Sequence, residues 1–147
     1  MKEKILKHHQ QLLQDKEDVF RDMIAGLTED AKNDAKGSAG DKHETALSMM
    51  HIEQEKLNFK LREILIQKDI LNKIDASLNH TKIALGSLVK ANGMYLFICA
   101  ALPKIVTDGK TIIALSPQSP LGSKLMGNSV GFSFEINTST FTIENVS

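Results

Sequence analysis

Apolar residues recur every seven positions through the first half of the chain. The first series is Leu6, Leu13, Phe20 and Leu27, and the second is Met50, Leu57, Ile64, Leu71 and Leu78. Sustained heptads with charged residues on the outer faces are typical of helices that pair as coiled coils. The pattern therefore predicts two long amphipathic helices that pack against each other.

A short segment separates the two helical patterns. Residues 36–45 contain two glycines and no apolar side chain larger than alanine. Helices joined by so short a connection lie side by side and antiparallel. The sequence therefore predicts an antiparallel coiled-coil hairpin over residues 1–78, with an acidic tip near residues 37–45 that carries Asp41 and Glu44.

After Asn79 the helical period gives way to short apolar runs typical of strands. The predicted strands cover residues 85–90, 95–101, 111–115, 132–136 and 141–143. Turns are predicted at Asp108-Gly109 and over residues 137–140. We therefore expect an α+β protein in which residues 79–147 form a small antiparallel β-sheet domain.

One short helix is predicted within the second half. Ser119 is placed to cap its N-terminus, Pro120 suits its first position, and Gly127 closes it. Leu121, Leu125 and Met126 give it an apolar face, so this helix should pack on the sheet.

Composition and charge narrow the function. Lys and Arg number 18, as do Asp and Glu, and no basic cluster is interleaved with aromatic residues, so direct nucleic-acid binding is disfavoured. The chain is charged from Lys2 onward and has no apolar run near the ~20 residues of a bilayer span. We expect a soluble, cytoplasmic protein without a membrane partner.

Neither the cysteine nor the histidines indicate a catalytic or zinc site. Cys99 is the single cysteine and lies in an apolar run, which favours an inert buried thiol over an acyl-transferring nucleophile. The five histidines lack zinc-ligand spacing, and adjacent residues such as His8 and His9 point to different sides of a helix. All five are expected to be solvated surface residues.

Asp41 and Glu44 permit two interpretations. An Asp followed three residues later by a Glu, just ahead of a helix, matches a capping box that satisfies free backbone amides. Two carboxylates at the end of a helical hairpin also suit Mg²⁺, which prefers oxygen ligands. Both can hold, because a cap at the outer end of a hairpin remains open to a partner.

Two segments resemble a known family. The run from Ile113 to Gly131 contains Ser-Pro-Leu-Gly at Ser119–Gly122, then Leu125, and two glycines spaced four apart. It resembles the C-terminal signature of the Gre family of bacterial transcription elongation factors. The tip sequence Gly-Asp-Lys-His-Glu-Thr-Ala over residues 40–46 resembles the family's Gly-Asp-x-x-Glu-Asn-Ala.

The resemblance implies a helical hairpin joined to an FKBP-like domain. The domain would dock at the rim of the secondary channel of RNA polymerase, with Ser119, Pro120, Leu121 and Gly122 matching docking positions. Asp41 and Glu44 would help to hold a Mg²⁺ ion shared with the polymerase active centre and so stimulate cleavage of backtracked RNA. The protein would be an accessory factor rather than an enzyme, without a tightly bound cofactor, and would meet nucleic acid only indirectly.

The chain also departs from the family pattern. Thr45 replaces the asparagine after the second acid, Ser48 and Met49 stand where an aromatic is usual, and Asn128 and Phe132 replace charged residues. A non-cleaving Gre-like regulator of polymerase is therefore an alternative. A coiled-coil interaction module unrelated to transcription is another, and in it the two acids only cap a helix. Ser119–Gly122 can likewise serve only as a helix start. A monomer is favoured, although a leucine seam can pair within one chain or between two.

Overall fold

The computed structural model describes residues 1–37 and 41–147, with the side chains of 31, 33–37 and 41–43 outside the description. Two long helices come first, α1 over Lys2–Gly37 and α2 over Asp41–Asn72. Six strands and one short helix follow: β1 Leu88–Ala91, β2 Met94–Ile98, β3 Ile105–Thr107, β4 Lys110–Leu115, α3 Pro120–Leu125, β5 Ser133–Ile136 and β6 Ser139–Val146. The predicted α+β class is confirmed.

Contacts divide the described chain into two compact units. One unit comprises Gln11–Lys68, and the other combines Met1–Gln10 with Asp69–Ser147. Within the described residues, no helix has an apolar stretch of the length that a bilayer crossing requires.

In the unit of Gln11–Lys68, α1 and α2 form an antiparallel hairpin. The less exposed positions of α2 recur at spacings of three and four residues, and Leu61 and Ile64 among them are buried. Gln54 donates a hydrogen bond to Thr28 across the pair at 2.9 Å. Lys68 donates to Gln14 and Glu17, each at 2.7 Å. Because early residues of α1 meet late residues of α2, the two helices run in opposite directions, as predicted.

The second helix ends before its heptad pattern does. The sequence places Leu78 in the buried seam, but α2 ends at Asn72 and Leu78 is exposed, so this assignment is wrong. The Asp75 carboxylate accepts hydrogen bonds from the backbone amide and hydroxyl of Ser77 at 3.0 and 2.6 Å. Such a local bond offers the backbone an alternative to helix, which favours the turn found here.

The strands form one mixed sheet in the order β3-β4-β2-β1-β6-β5. Strands β2 and β4 are parallel, while the other neighbouring pairs are antiparallel. The prediction of a fully antiparallel sheet is therefore wrong. The prediction failed because the sequence pattern missed β3. This strand adds one more reversal of chain direction between β2 and β4, so β2 and β4 run the same way.

The predicted turns lie where the glycine and asparagine signals are. Asp108 and Gly109 both adopt left-handed backbone conformations and join β3 to β4 as a two-residue hairpin. The last hairpin turns at Asn137 and Thr138 alone, and β6 begins at Ser139. The turn is thus two residues shorter than the predicted span of 137–140.

The short helix α3 packs on one face of the sheet. The cluster that it completes is fully or almost fully buried and consists of Ile83, Val89, Ala91, Leu96, Ile98, Leu125 and Ile143. Leu121 and Met126 pack against its edge, which confirms the apolar face predicted for this helix.

Candidate functional site

The two acids of the predicted tip lie in the first turn of α2. The helix begins at Asp41, and Glu44 follows three residues later with an exposed side chain. Positions three residues apart lie on the same side of a helix. The side chain of Asp41 is outside the description, so its proposed part in capping or metal binding stays a prediction.

The two acids lie at a helix N-terminus, and this position affects how carboxylates interact with ions. The partial positive charge of a helix N-terminus stabilises ionised carboxylates and opposes a bound cation. Among the described residues, no cluster of three or more His, Cys, Asp or Glu side chains is arranged to hold a metal. Carboxylate oxygens are the donor atoms that Mg²⁺ prefers, and the metal role of Asp41 and Glu44 stays a prediction.

The second candidate site is the start of α3. The Ser119 hydroxyl accepts a hydrogen bond from the Gly122 amide at 3.0 Å and donates one to the Ser116 carbonyl at 2.7 Å. Pro120 occupies the first turn, where its missing N–H costs nothing. Ser119 is thus the predicted N-cap, and its hydrogen-bonding capacity is directed at its own loop.

Gly122 is held at this place by a close approach of two backbone segments. It is buried, and a Cβ atom built on it would lie 2.1 Å from the Ser116 carbonyl oxygen and 2.8 Å from the Ser119 hydroxyl. Of the four predicted docking residues, Pro120 is exposed and Leu121 half-buried. A partner could therefore touch Pro120 and part of Leu121, whereas Ser119 and Gly122 shape the turn that presents them.

Replacing Ser119 with alanine is expected to lower the free energy of unfolding by about 1 kcal/mol, because the Gly122 amide loses its cap. Denaturant unfolding followed by circular dichroism measures this change. Ser123→Ala is the matched control, because Ser123 is exposed in the same helix and its hydroxyl donates a hydrogen bond to the Pro120 carbonyl, without capping a backbone amide. An equal loss in both variants would contradict the capping role.

A ladder of aromatic rings follows α3 and was not predicted as a surface feature. Phe134 stacks between Phe132 and Phe141, with ring centroids 6.1 and 5.6 Å away. Phe132 and the nearby Val130 are exposed. The alternation of phenylalanines predicted the strand correctly, but it could not show that Phe132 would remain open to a partner.

Among the histidines whose side chains the structure describes, two depart from the prediction of solvated surface residues; the side chain of His43 lies outside the description. His9 is fully buried, and neither of its ring nitrogens has a hydrogen-bond partner among the described residues. His80 is half-buried, with Nδ1 2.7 Å from the Ser87 hydroxyl, which also accepts from the Ala84 amide. Ser87 is completely buried, so this Ser–His pair fixes a turn and is closed to a substrate.

The cysteine is buried, as expected. Burial raises the pKa of the Cys99 thiol to about 11, so the thiol is protonated at neutral pH. A protonated, enclosed thiol is a poor nucleophile. This geometry argues against catalysis through Cys99.

Comparison with protein-family models and with curated proteins finds no match for this chain.

Proposed function

We propose that this chain is a Gre-type factor that binds bacterial RNA polymerase through the secondary channel. The observation that carries the proposal is the antiparallel hairpin of α1 and α2, with Asp41 and Glu44 in the first turn of the second helix. A separate sheet unit with a Ser119-capped helix also supports it, and in the proposal this unit serves as an FKBP-like docking domain. A cytoplasmic location follows from this role.

Helix α2 is long, and the two acids lie at its N-terminal end. At ~1.5 Å per residue, the 32 residues of α2 extend over about 48 Å. The carboxylate oxygens of Asp41 and Glu44 would add ligands of the kind that Mg²⁺ prefers to the magnesium site of the polymerase. A second Mg²⁺, when bound, stabilises the attacking and leaving oxygens of phosphoryl transfer. The chain itself then needs no catalytic pocket, and its contact with RNA is indirect.

Docking of the sheet unit would use the side chains that α3 and the aromatic ladder leave accessible. These are Pro120, the outer part of Leu121, and Phe132. Ser119 and Gly122 contribute by fixing the backbone that presents Pro120. In this proposal Pro120 and Leu121 contact the polymerase directly, whereas Ser119 and Gly122 hold the backbone that presents them.

The decisive experiment is RNA cleavage by stalled bacterial polymerase in the presence of this protein. Asp41→Asn and Glu44→Gln remove the negative charge with little change in shape, and each is expected to slow cleavage about tenfold, because each removes one charged ligand. Asp22→Asn is the matched control, because Asp22 is an exposed acid on α1 away from the tip. Cleavage that is the same in all four proteins would remove the tip mechanism.

Two alternatives give different outcomes in the same experiment. The replacement of the family's asparagine by Thr45 and of a charged residue by Phe132 favours a regulator that occupies the channel without cleavage. Such a protein would bind polymerase and leave the cleavage rate at its basal value. An interaction module unrelated to transcription would fail to bind purified polymerase at all.

A further inference from the structure

Helix α2 carries a second apolar stripe that α1 does not cover. Its members are Ile52, Phe59 and Ile66, spaced seven residues apart and 55%, 58% and 56% exposed. Phe59 follows Leu57 of the seam by two residues, which is a rotation of about 200° around a helix. The stripe therefore lies on the side of α2 opposite the seam. We call these three residues the outer stripe.

The spacing of the outer stripe matters more than its size. Single exposed apolar residues are ordinary on protein surfaces. Three of them at successive heptad positions, over about 21 Å of helix, form the line that a coiled-coil partner contacts. Both sides of α2 thus have the pattern of a helix-pairing surface, and the hairpin uses one of them.

The charges beside the outer stripe indicate which helix fits it. Glu55 and Arg62 lie on one flank of Phe59, and Lys56 and Glu63 lie on the other; all four are exposed. If a second α2 runs antiparallel through Phe59, each Glu55 comes opposite an Arg62 of the second copy, and each Lys56 comes opposite a Glu63. If it runs parallel, Glu55 meets Lys56, and Arg62 meets Glu63. Opposite signs meet in both arrangements.

We propose that the outer stripe is a homodimer contact and that its occupant is α2 of a second copy of this chain. The apolar layers match in either direction, because Ile52 and Ile66 are identical residues at equal distances from Phe59. A flank that carries both signs fits its own copy better than a uniformly acidic or basic partner. This conclusion departs from the monomer expected from the sequence and does not depend on the proposed role at polymerase.

The dimer is expected to be weak. One helix pair of about 21 Å buries less than the ~1,200 Å² of a standard stable interface. Sedimentation equilibrium should therefore show a mass that rises with concentration, from 16.2 kDa towards twice that value. A single species of 16.2 kDa from low micromolar to near-millimolar concentration would overturn the proposal.

Phe59→Glu is expected to weaken self-association about tenfold or more, because it places a charge at the centre of the contact. Asn58→Glu is the matched control: it adds the same charge to the neighbouring exposed residue, off the outer stripe, and should change association much less. Both positions are exposed and glutamate is a good helix former, so circular dichroism should show intact helix in each. Equal association of the two variants would exclude the outer stripe as the contact.

Cysteine cross-linking then gives the direction of the second copy. Ile52→Cys forms a disulfide with itself in a parallel dimer, whereas a mixture of Ile52→Cys and Ile66→Cys forms the mixed disulfide in an antiparallel one. The native Cys99 is buried, so the unmodified chain serves as the control. Either product supports the proposal, and cross-linking in neither sample contradicts it.

Discussion

Replacing Gly122 with alanine is expected to lower the free energy of unfolding by about 3 kcal/mol, at the upper end of what overpacking costs. The added Cβ would lie 2.1 Å from the Ser116 carbonyl oxygen, which is a backbone atom and cannot rotate away. The start of α3 must therefore move, and the bonds that join Ser119 to Ser116 and Gly122 are lost or distorted. Urea unfolding followed by circular dichroism measures the loss.

Gly26→Ala is the control, and it is expected to raise the free energy of unfolding instead of lowering it. Gly26 lies inside α1, and apart from the backbone of its own helix no atom of the described residues comes within 4 Å of the position of a Cβ, so alanine there should stabilise the chain by roughly 0.5–1 kcal/mol. The pair separates a general effect of glycine replacement from the close approach at α3. Wild-type stability in Gly122→Ala would show that the two backbone segments can separate at no cost.

Local signals predicted α3 almost completely, but they could not reveal why Gly122 is required. The N-cap and Pro120 are choices of single residues, which sequence patterns report directly. Glycine is needed at this position because a Cβ there would lie too close to the Ser116 carbonyl oxygen, and only the folded loop brings the two together. The resemblance marked Gly122 as a docking residue, whereas the structure gives it a packing reason.

The topology of the sheet also could not be predicted from local sequence signals. The longer strands were predicted because each carries a recognisable apolar run. Strand β3 has only three residues, Ile105–Thr107, too few to establish a period. Without β3 the direction of β4 is assigned wrongly, although β4 itself was recognised. A missing short strand therefore changes the topology more than it changes the list of elements.

For the candidate contact surfaces, the seven-residue periodicity located the apolar stripes but did not show which of them is exposed. Two seven-residue repeats coexist in α2, one through Leu57 and one through Phe59. Which of them is buried depends on where α1 packs. The acids of the tip are different, because their place between two helical patterns is visible in the sequence, while their chemistry depends on side-chain geometry and on a partner.

The burial of His9 could have been predicted from the helical spacing of the apolar residues around it. It lies four residues after Ile5 and four before Leu13, and both of these are buried positions of α1. That spacing places His9 on the apolar side of the helix, whereas His8 is exposed. The expectation that adjacent histidines point to different sides was correct, and the interior side is the one that His9 occupies.

Acidification is expected to destabilise the protein through His9. Burial, with a smaller contribution from the neighbouring His8, lowers the pKa of His9 from 6.5 to about 4. The unfolded chain therefore binds this proton at a higher pH than the folded chain does, and stability falls as the pH drops from 6.5 to 4. The difference between the two pKa values corresponds to about 3 kcal/mol, which denaturant unfolding at neutral pH and at pH 4 measures.

His9→Leu should remove this part of the pH dependence, because leucine has a similar size and no proton to bind. It should also stabilise the protein at neutral pH by about 1–2 kcal/mol, since it removes two buried nitrogens that find no partner among the described residues. His8→Leu, at the exposed neighbouring position, should retain most of the wild-type loss in acid. Carboxylates that titrate below neutral pH are the same in all three proteins, so the difference between the variants isolates His9. If His9→Leu lost as much stability in acid as the wild type, the buried histidine would not be the acid-sensitive group of this fold.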